Sequence, residues 1–225
     1  MSSQTINVNR DIQAERRAAA TKLREHFTKQ GTFVINLVSS PGAGKTSLLE
    51  ATCRHWDQKW KVAVLVGDLA TDRDAQRLRP YVPVEQLTTG GACHLELSLV
   101  ERGLAKLPNT RFDFLFIENI GNLVCPASHD LAEHLRVVLL STTEGDDKPA
   151  KYPKMFRTSD VMVVTKTDLL PYVPFDVDRC SDDARQIRDD LRVLQVSAIN
   201  DKGIDTWCQL LESKRETMLG EVAAP

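Results

Sequence analysis

The densest concentration of usable chemistry in this sequence is Ser39-Ser40-Pro41-Gly42-Ala43-Gly44-Lys45-Thr46. Its last three residues match G-x-x-x-x-G-K-[ST], with Ser39 where the first glycine stands. Gly42 and Gly44 let the backbone curl so that successive N–H groups point inward, an anion nest feeding the positive end of the helix that follows. Phosphate is the expected guest of Gly42, Ala43, Gly44, Lys45, Thr46 and Ser47. Lys45 should reach the β and γ phosphates as a point charge, and the Thr46 hydroxyl should bind Mg²⁺. The bland alternative is a glycine-rich turn with an incidental lysine. A strand pattern before the segment and a helix pattern after it argue against that alternative.

An acid at the end of a neighbouring strand should hold Mg²⁺ or its water, and Asp68 after 62–67 and Glu118 after 112–117 stand in such places. Glu118 opens Glu118-Asn119-Ile120-Gly121, which resembles the D-x-x-G element of GTPases with Glu for Asp. Gly121 is then placed to offer its N–H to the γ-phosphate, so that loss of that phosphate releases the loop behind it. Asp68 and Asp72 are the candidates for activating the attacking water, Asp68 standing more naturally at Mg²⁺. With Lys45 and Glu118 they make up the expected catalytic group.

Base choice rests on Thr165-Lys166-Thr167-Asp168, which ends a strand pattern and resembles the guanine-reading N-K-x-D element with Thr for Asn. Asp168 can accept from guanine N1–H and the 2-amino group, a pair that adenine does not present, while the Lys166 stem lies along the ring. Ser197-Ala198, after the last strand pattern, resembles the S-A-K element whose backbone donates to guanine O6. GTP is therefore expected over ATP. With Thr165 in place of Asn, the amide that ties these loops together is missing.

Soft ligands form the third group. Cys93-His94 stands at the start of a helix pattern over 93–107, and Cys125 lies four residues beyond Gly121, on the loop that should feel the γ-phosphate. A thiolate at a helix N-terminus has a lowered pKa. Two thiolates and an imidazole suit Zn²⁺ or Ni²⁺. Spacing alone is not decisive, since a free cysteine is usually a small buried hydrophobe. Cys53, Cys180 and Cys208 read as such packing residues. His55, His129 and His134 read as structural or solvated, with His129 in reserve as a ligand because it follows Cys125 closely.

Positioning these groups requires a scaffold that brings several loops together. Apolar, strand-like runs recur at 33–38, 62–66, 84–87, 112–117, 136–140, 161–164 and 192–196, with helix-length amphipathic stretches at 45–57, 73–79, 93–107, 181–190 and 204–217. Such alternation predicts an α/β fold, a mostly parallel sheet of about seven strands with helices on both faces. Sites in such sheets gather at the carboxyl ends of the strands. The polar stretch 143–160 reads as a loop with a short helix. An amphipathic helix over 11–29 is expected as an appendage. The division expected is a helical extension (1–30), a nucleotide domain (31–218) and a tail (219–225).

A formal net charge of −2 argues against nucleic acid as the main partner. The N-terminus lacks the apolar stretch of a secretory signal, no run of eighteen apolar residues offers a membrane span, and the five scattered cysteines suit a reducing compartment. A soluble cytoplasmic protein is expected.

Several segments together resemble the HypB-type GTPases, SIMIBI-class P-loop proteins that assist nickel insertion into [NiFe]-hydrogenase. They are Ser40-Pro41-Gly42-Ala43-Gly44-Lys45-Thr46, Gly67-Asp68-Leu69-Ala70-Thr71-Asp72, Gly91-Ala92-Cys93-His94-Leu95, Phe116-Ile117-Glu118-Asn119-Ile120-Gly121-Asn122-Leu123-Val124-Cys125-Pro126 and Lys166-Thr167-Asp168-Leu169-Leu170-Pro171-Tyr172. The resemblance implies a GTP- and Mg²⁺-dependent homodimer that cycles between GTP and GDP. It places a nickel or zinc site of Cys93, His94 and Cys125 near the subunit interface. It also implies a HypA-type metallochaperone as partner, the 11–29 helix being either a docking element for it or a solvent-facing cap, and the hydrogenase large subunit as the recipient, reached directly or indirectly. Urease-type nickel GTPases differ in carrying a Cys-Pro-His element, which is absent here. Residues 1–30 hold neither the Cys-rich nor the His-rich nickel tract of many family members, so high-affinity nickel storage is not expected. A P-loop small-molecule kinase is the rival enzyme, opposed by Lys166-Thr167-Asp168. A metal-binding scaffold with vestigial hydrolysis is the non-enzymatic rival.

Overall fold

The computed structural model describes residues 3–68 and 72–223. Seven strands form one sheet: β1 (Phe33–Ser39), β2 (Val62–Asp68), β3 (Val84–Thr88), β4 (Phe114–Gly121), β5 (Leu135–Ser141), β6 (Val161–Thr165) and β7 (Arg192–Gln195). Their order is β3-β2-β4-β1-β5-β6-β7, and every adjacent pair is parallel. Each expected strand is present, and the sheet is wholly rather than mostly parallel. β1 and β5 are buried at every position, as strands covered on both faces must be, while the edge strands β3 and β7 are mostly part-exposed or exposed.

Among the described residues, eight α-helices accompany the sheet: α1 (Ser3–Gln30), α2 (Lys45–Trp56), α3 (Arg73–Leu78), α4 (Leu97–Leu104), α5 (Lys148–Lys151), α6 (Pro153–Arg157), α7 (Val177–Ile187) and α8 (Ile204–Ala223). Period-two alternation along β1 sends Phe33, Ile35 and Leu37 to one face, where they pack on Leu48 and Leu49 of α2, Leu78 of α3 and Trp207 of α8. Val34 faces the other way, toward Phe27 of α1 and Val100 of α4. Val38 and Val138 meet Phe156 of α6 and Ala184 of α7.

Three expectations change. The second half of α1 is docked rather than appended. Ala20 and Phe27 are buried, Arg24 donates to the Glu133 carbonyl at 2.8 Å, and Thr28 meets His134 Nε2 at 2.9 Å. The stretch 143–160 holds two short helices, α5 and α6, because Pro149 and Pro153 each occupy a first-turn position where no N–H is needed. At the other end, α8 continues through 219–223. Buried Cys53, Cys180 and Cys208 have thiols pushed up to about 12 by desolvation, so they stay protonated and pack.

Candidate nucleotide and metal site

The loop between β1 and α2 opens at the carboxyl end of the central strand, where chain connections diverge to either side of the sheet. Gly42 (φ 75°) and Gly44 (φ 91°) hold left-handed backbone, which lets the loop curl before α2. Lys45 is buried, and its Nζ donates to Ser39 Oγ at 3.0 Å. Ser39, a departure from the glycine template, thus provides a resting acceptor for the lysine. Burial holds the Lys45 pKa below its ordinary value against the pull of Glu118.

Thr46 Oγ1 donates to Glu118 Oε1 at 2.7 Å, while Glu118 Oε2 is enclosed without a hydrogen-bond partner. Burial pushes the Glu118 carboxyl up to about 7 despite Lys45 and the Thr46 hydrogen bond. An enclosed carboxylate oxygen beside a hydroxyl is a donor set that fits Mg²⁺, a hard cation with a preference for oxygen. Glu118 lies within β4 rather than after it, since this strand runs three residues past Glu118 to Gly121. Asp68 is the last residue of β2, next to β4 in the sheet. Asp72 is exposed and pairs with Arg79 at 3.9 Å. The acid of this segment whose field reaches both Lys45 and Glu118 is Asp74, two residues on. Leu69, Ala70 and Thr71 lie outside the described residues. Arg77 of α3 donates to Ser47 Oγ at 3.1 Å and pairs with Glu50, clasping α3 to the first turns of α2.

The base-reading segments converge on the same loop. Thr165 Oγ1 donates to the Ala43 carbonyl at 2.7 Å and Lys166 Nζ to the Gly42 carbonyl at 2.8 Å. The tie expected to be missing with Thr165 is therefore made by its hydroxyl. Ser197 Oγ donates to Asp168 Oδ1 at 2.6 Å, which orients the carboxylate, and Thr167 N–H donates to the Val196 carbonyl at 3.2 Å. Ala198 follows Ser197 in the loop after β7 and accepts from Arg54 through its carbonyl at 3.3 Å.

Cys93, His94 and Cys125 come together: one ligand atom from each lies within 4.8 Å of the others. The sulfurs are 2.8 Å apart and the Cys93 sulfur is 3.8 Å from His94 Nδ1. Cys93 does not begin a helix, because α4 starts at Leu97. Its thiol is shifted up rather than down, chiefly through its hydrogen bond to Cys125. A soft cation bound here would displace the thiol protons.

One strand end reaches both the phosphate loop and the Cys-His cluster. Glu118 meets Thr46; Asn119 Oδ1 accepts from Leu95 N–H at 3.4 Å; Asn122 Nδ2 donates to the Cys93 carbonyl at 3.2 Å; Cys125 meets Cys93. Behind them, Leu95 packs so tightly on Gly67 that a Cβ there would come 2.9 Å from Leu95 Cδ1. Asn119 and Asn122 position the Cys-His segment, a role that reading the sequence did not assign to them.

A family profile described as "CobW/HypB/UreG, nucleotide-binding domain" matches residues 33–195. The chain is 45% identical over 218 residues to the hydrogenase maturation factor HypB of Azotobacter vinelandii, covering 96% of this chain and 72% of that protein. The chain belongs to the HypB family. Escherichia coli K12 HypB is 42% identical, over 93% of this chain and 73% of that one. Among solved structures, Helicobacter pylori HypB in complex with nickel superposes with a TM-score of 0.85 at 39% identity, covering 91% of this chain and 97% of that chain. Archaeoglobus fulgidus HypB gives 0.83 at 34% identity, over 90% and 99%. This HypB-family chain thus carries the nucleotide-binding fold of a hydrogenase maturation factor. No helix among its described residues is long and apolar enough to cross a membrane.

Proposed function

We propose that this protein hydrolyses GTP and couples the nucleotide state to nickel carried by Cys93, His94 and Cys125, assisting nickel insertion into [NiFe]-hydrogenase. The observation that carries the reading is the segment 118–125, whose first residue holds Thr46 and whose last touches Cys93. In this reading the backbone amides of Gly42, Ala43, Gly44 and Ser47, with Lys45, cradle the phosphates, and Gly121 N–H faces the γ-phosphate. Thr46, with Glu118 and Asp68, would hold Mg²⁺, which when bound would supply positive charge against that building on the phosphates. Asp168 reads the guanine edge, with Lys166, Ser197 and Ala198 around the ring. Water attacks the γ-phosphorus and the bond to the GDP oxygen breaks; Asp68 and Asp72 are the acids proposed to orient that water, with Asp74 contributing field. Phosphate loss then frees the 118–125 segment and changes the thiolate geometry around nickel. By linkage, bound nickel must alter nucleotide affinity to the same extent.

The organisation proposed is a helical extension at 1–30 whose second half is docked, the GTPase domain at 31–218, and a C-terminal stretch at 219–225 that continues α8 as far as Ala223, working as a GTP-dependent homodimer in the cytoplasm. A HypA-type metallochaperone and the hydrogenase large subunit are the proposed partners. The maturation role of the HypB relatives and the nickel in the Helicobacter pylori structure support this reading. Zn²⁺ suits the same ligands.

Phosphate release from GTP and from ATP, measured for the intact chain and for Lys45→Ala and Asp168→Ala, tests the enzymatic half. GTP-selective turnover that Lys45→Ala abolishes and Asp168→Ala makes unselective is expected. Equal turnover of ATP, or an unaffected Lys45→Ala, overturns it. Ni²⁺ titration with and without a non-hydrolysable GTP analogue tests the coupling, and identical affinities refute it.

A further inference from the structure

Four residues beyond Cys125, just after the 3₁₀ turn Cys125–Ser128, stands His129. Its Nδ1 is 2.9 Å from the Cys125 carbonyl. A carbonyl only accepts, so Nδ1 carries a proton, and in the neutral ring the lone pair then lies on Nε2. The His129 carbonyl in turn accepts from Nη2 of buried Arg136 at 2.6 Å, and Arg136 Nε is held by Glu133 at 2.8 Å. An imidazole whose second nitrogen donates to a backbone carbonyl is fixed in the way metal-binding histidines are fixed.

The His94 ring lies against His129, with ring centroids 3.8 Å apart. His94 Nδ1 faces the Cys93 sulfur, whereas its Nε2 is enclosed and has no hydrogen-bond partner. The nearest carboxylate to that nitrogen in an ion-pair geometry is Glu96 Oε1, at 4.0 Å. Ligand atoms of His94, Glu96 and His129 all lie within 4.8 Å of one another.

We propose that His94, Glu96 and His129 form a second cation site, separate from the thiolate set, that takes a borderline divalent ion through two imidazole nitrogens and one carboxylate. Zn²⁺, Co²⁺ and Ni²⁺ suit such donors. The two sites share His94, whose ring presents one nitrogen to each, so an ion leaving the thiolates meets the other edge of the same imidazole. Glu96 and His129 also line a cleft of about 920 Å³ beneath α1, together with Arg16, Leu97 and Ala127. This gives an ion access that does not pass the nucleotide. Arg16 pairs with Glu96 at 3.7 Å, a cation that an arriving metal replaces. The proposal rests on the thiolate reading only in that His94 is common to both.

Co²⁺ is the probe, titrated into the full chain, into Cys93→Ser/Cys125→Ser, and into that double variant carrying His129→Phe or Glu96→Gln. The double variant is expected to bind about one Co²⁺ per protomer saturably, with visible d–d bands and no sulfur charge-transfer band in the near ultraviolet. His129→Phe and Glu96→Gln should each weaken that binding by about tenfold or more, above the lower bound seen when even a supporting ligand contact is removed. Glu96 is an exposed side chain, so its variant gives the reading without disturbing packing. A double variant that binds no Co²⁺, or whose affinity neither substitution changes, overturns the second site. A wild-type chain that shows no sulfur band refutes the thiolate reading instead, and leaves the double variant to decide this one.

Discussion

Gly121 lies so close to Pro41 that a Cβ on it would come 2.7 Å from both the Cα and the nitrogen of Pro41. The end of β4 therefore rests directly on the phosphate loop, and four residues later the chain reaches the Cys93–Cys125 pair. A shift of either loop must be felt by the other, because interiors this closely packed do not deform freely.

Gly121→Ala should force these backbones apart. A displacement of this size near reacting groups lowers turnover by about a hundredfold. Phosphate release from GTP together with far-ultraviolet circular dichroism is the measurement. Wild-type turnover in a folded variant would mean that the contact is not transmitted to the phosphates.

Thr165→Val keeps the shape and removes the donor to the Ala43 carbonyl. Leaving a buried acceptor without its partner costs about 1–3 kcal/mol. For a chain of this size each kcal/mol moves the melting midpoint by about 2–4 °C. Thermal melting should show the drop, and nucleotide affinity should fall with it because the phosphate loop loses its tie to β6.

Asn122→Ala releases the Cys93 carbonyl while leaving every thiol and imidazole in place. Removal of such a supporting contact weakens metal binding by about 10–100-fold. Competition against a chromophoric chelator should register this with GDP affinity unchanged. A parallel loss of GDP affinity would instead show that Asn122 supports the phosphate loop.

His134 carries the clearest pH signature. Its Nδ1 accepts from Val34 N–H at 2.9 Å, so its Nε2–H donates to Thr28 Oγ1 and the ring must stay neutral. Burial, then Arg24, lowers its pKa from 6.5 to about 4. Between those values the unfolded chain binds more protons than the folded one, so stability falls as pH falls. From pH 6.5 to pH 5 the loss is about 2 kcal/mol. Urea denaturation at the two pH values should show it, and His134→Asn, which keeps an acceptor near Val34 but does not titrate, should flatten the difference.

The second-half docking of α1, the helix start at Leu97 and the role of Asp74 were not legible in the sequence, for reasons that differ. Ala20 and Phe27 look like any amphipathic pair, and only the surface they meet distinguishes docking from exposure. Cys93 sits in a helix-like pattern, yet Gly90 and Gly91 with positive φ carry the chain through an irregular turn first. Asp74 acts through space, from α3 onto a lysine in α2 and a glutamate in β4.

By itself the sequence determined whatever is local. The seven apolar runs, the Gly42 and Gly44 curl leading into Lys45 and Thr46, and the Cys93-His94 and Cys125 segments all follow from residue types at short spacing. The tertiary structure alone decided which distant groups meet. Thr165 ties to Ala43 across 122 residues, Glu118 takes the Thr46 hydroxyl across 72, and Asn119 steadies Leu95 across 24. Such side-chain hydrogen bonds leave no periodicity in the chain, since they depend on the order in which parallel strands are laid side by side. Strand order, with β4 set between β2 and β1, is what brings the phosphate loop and the Cys-His segment to opposite sides of one strand end.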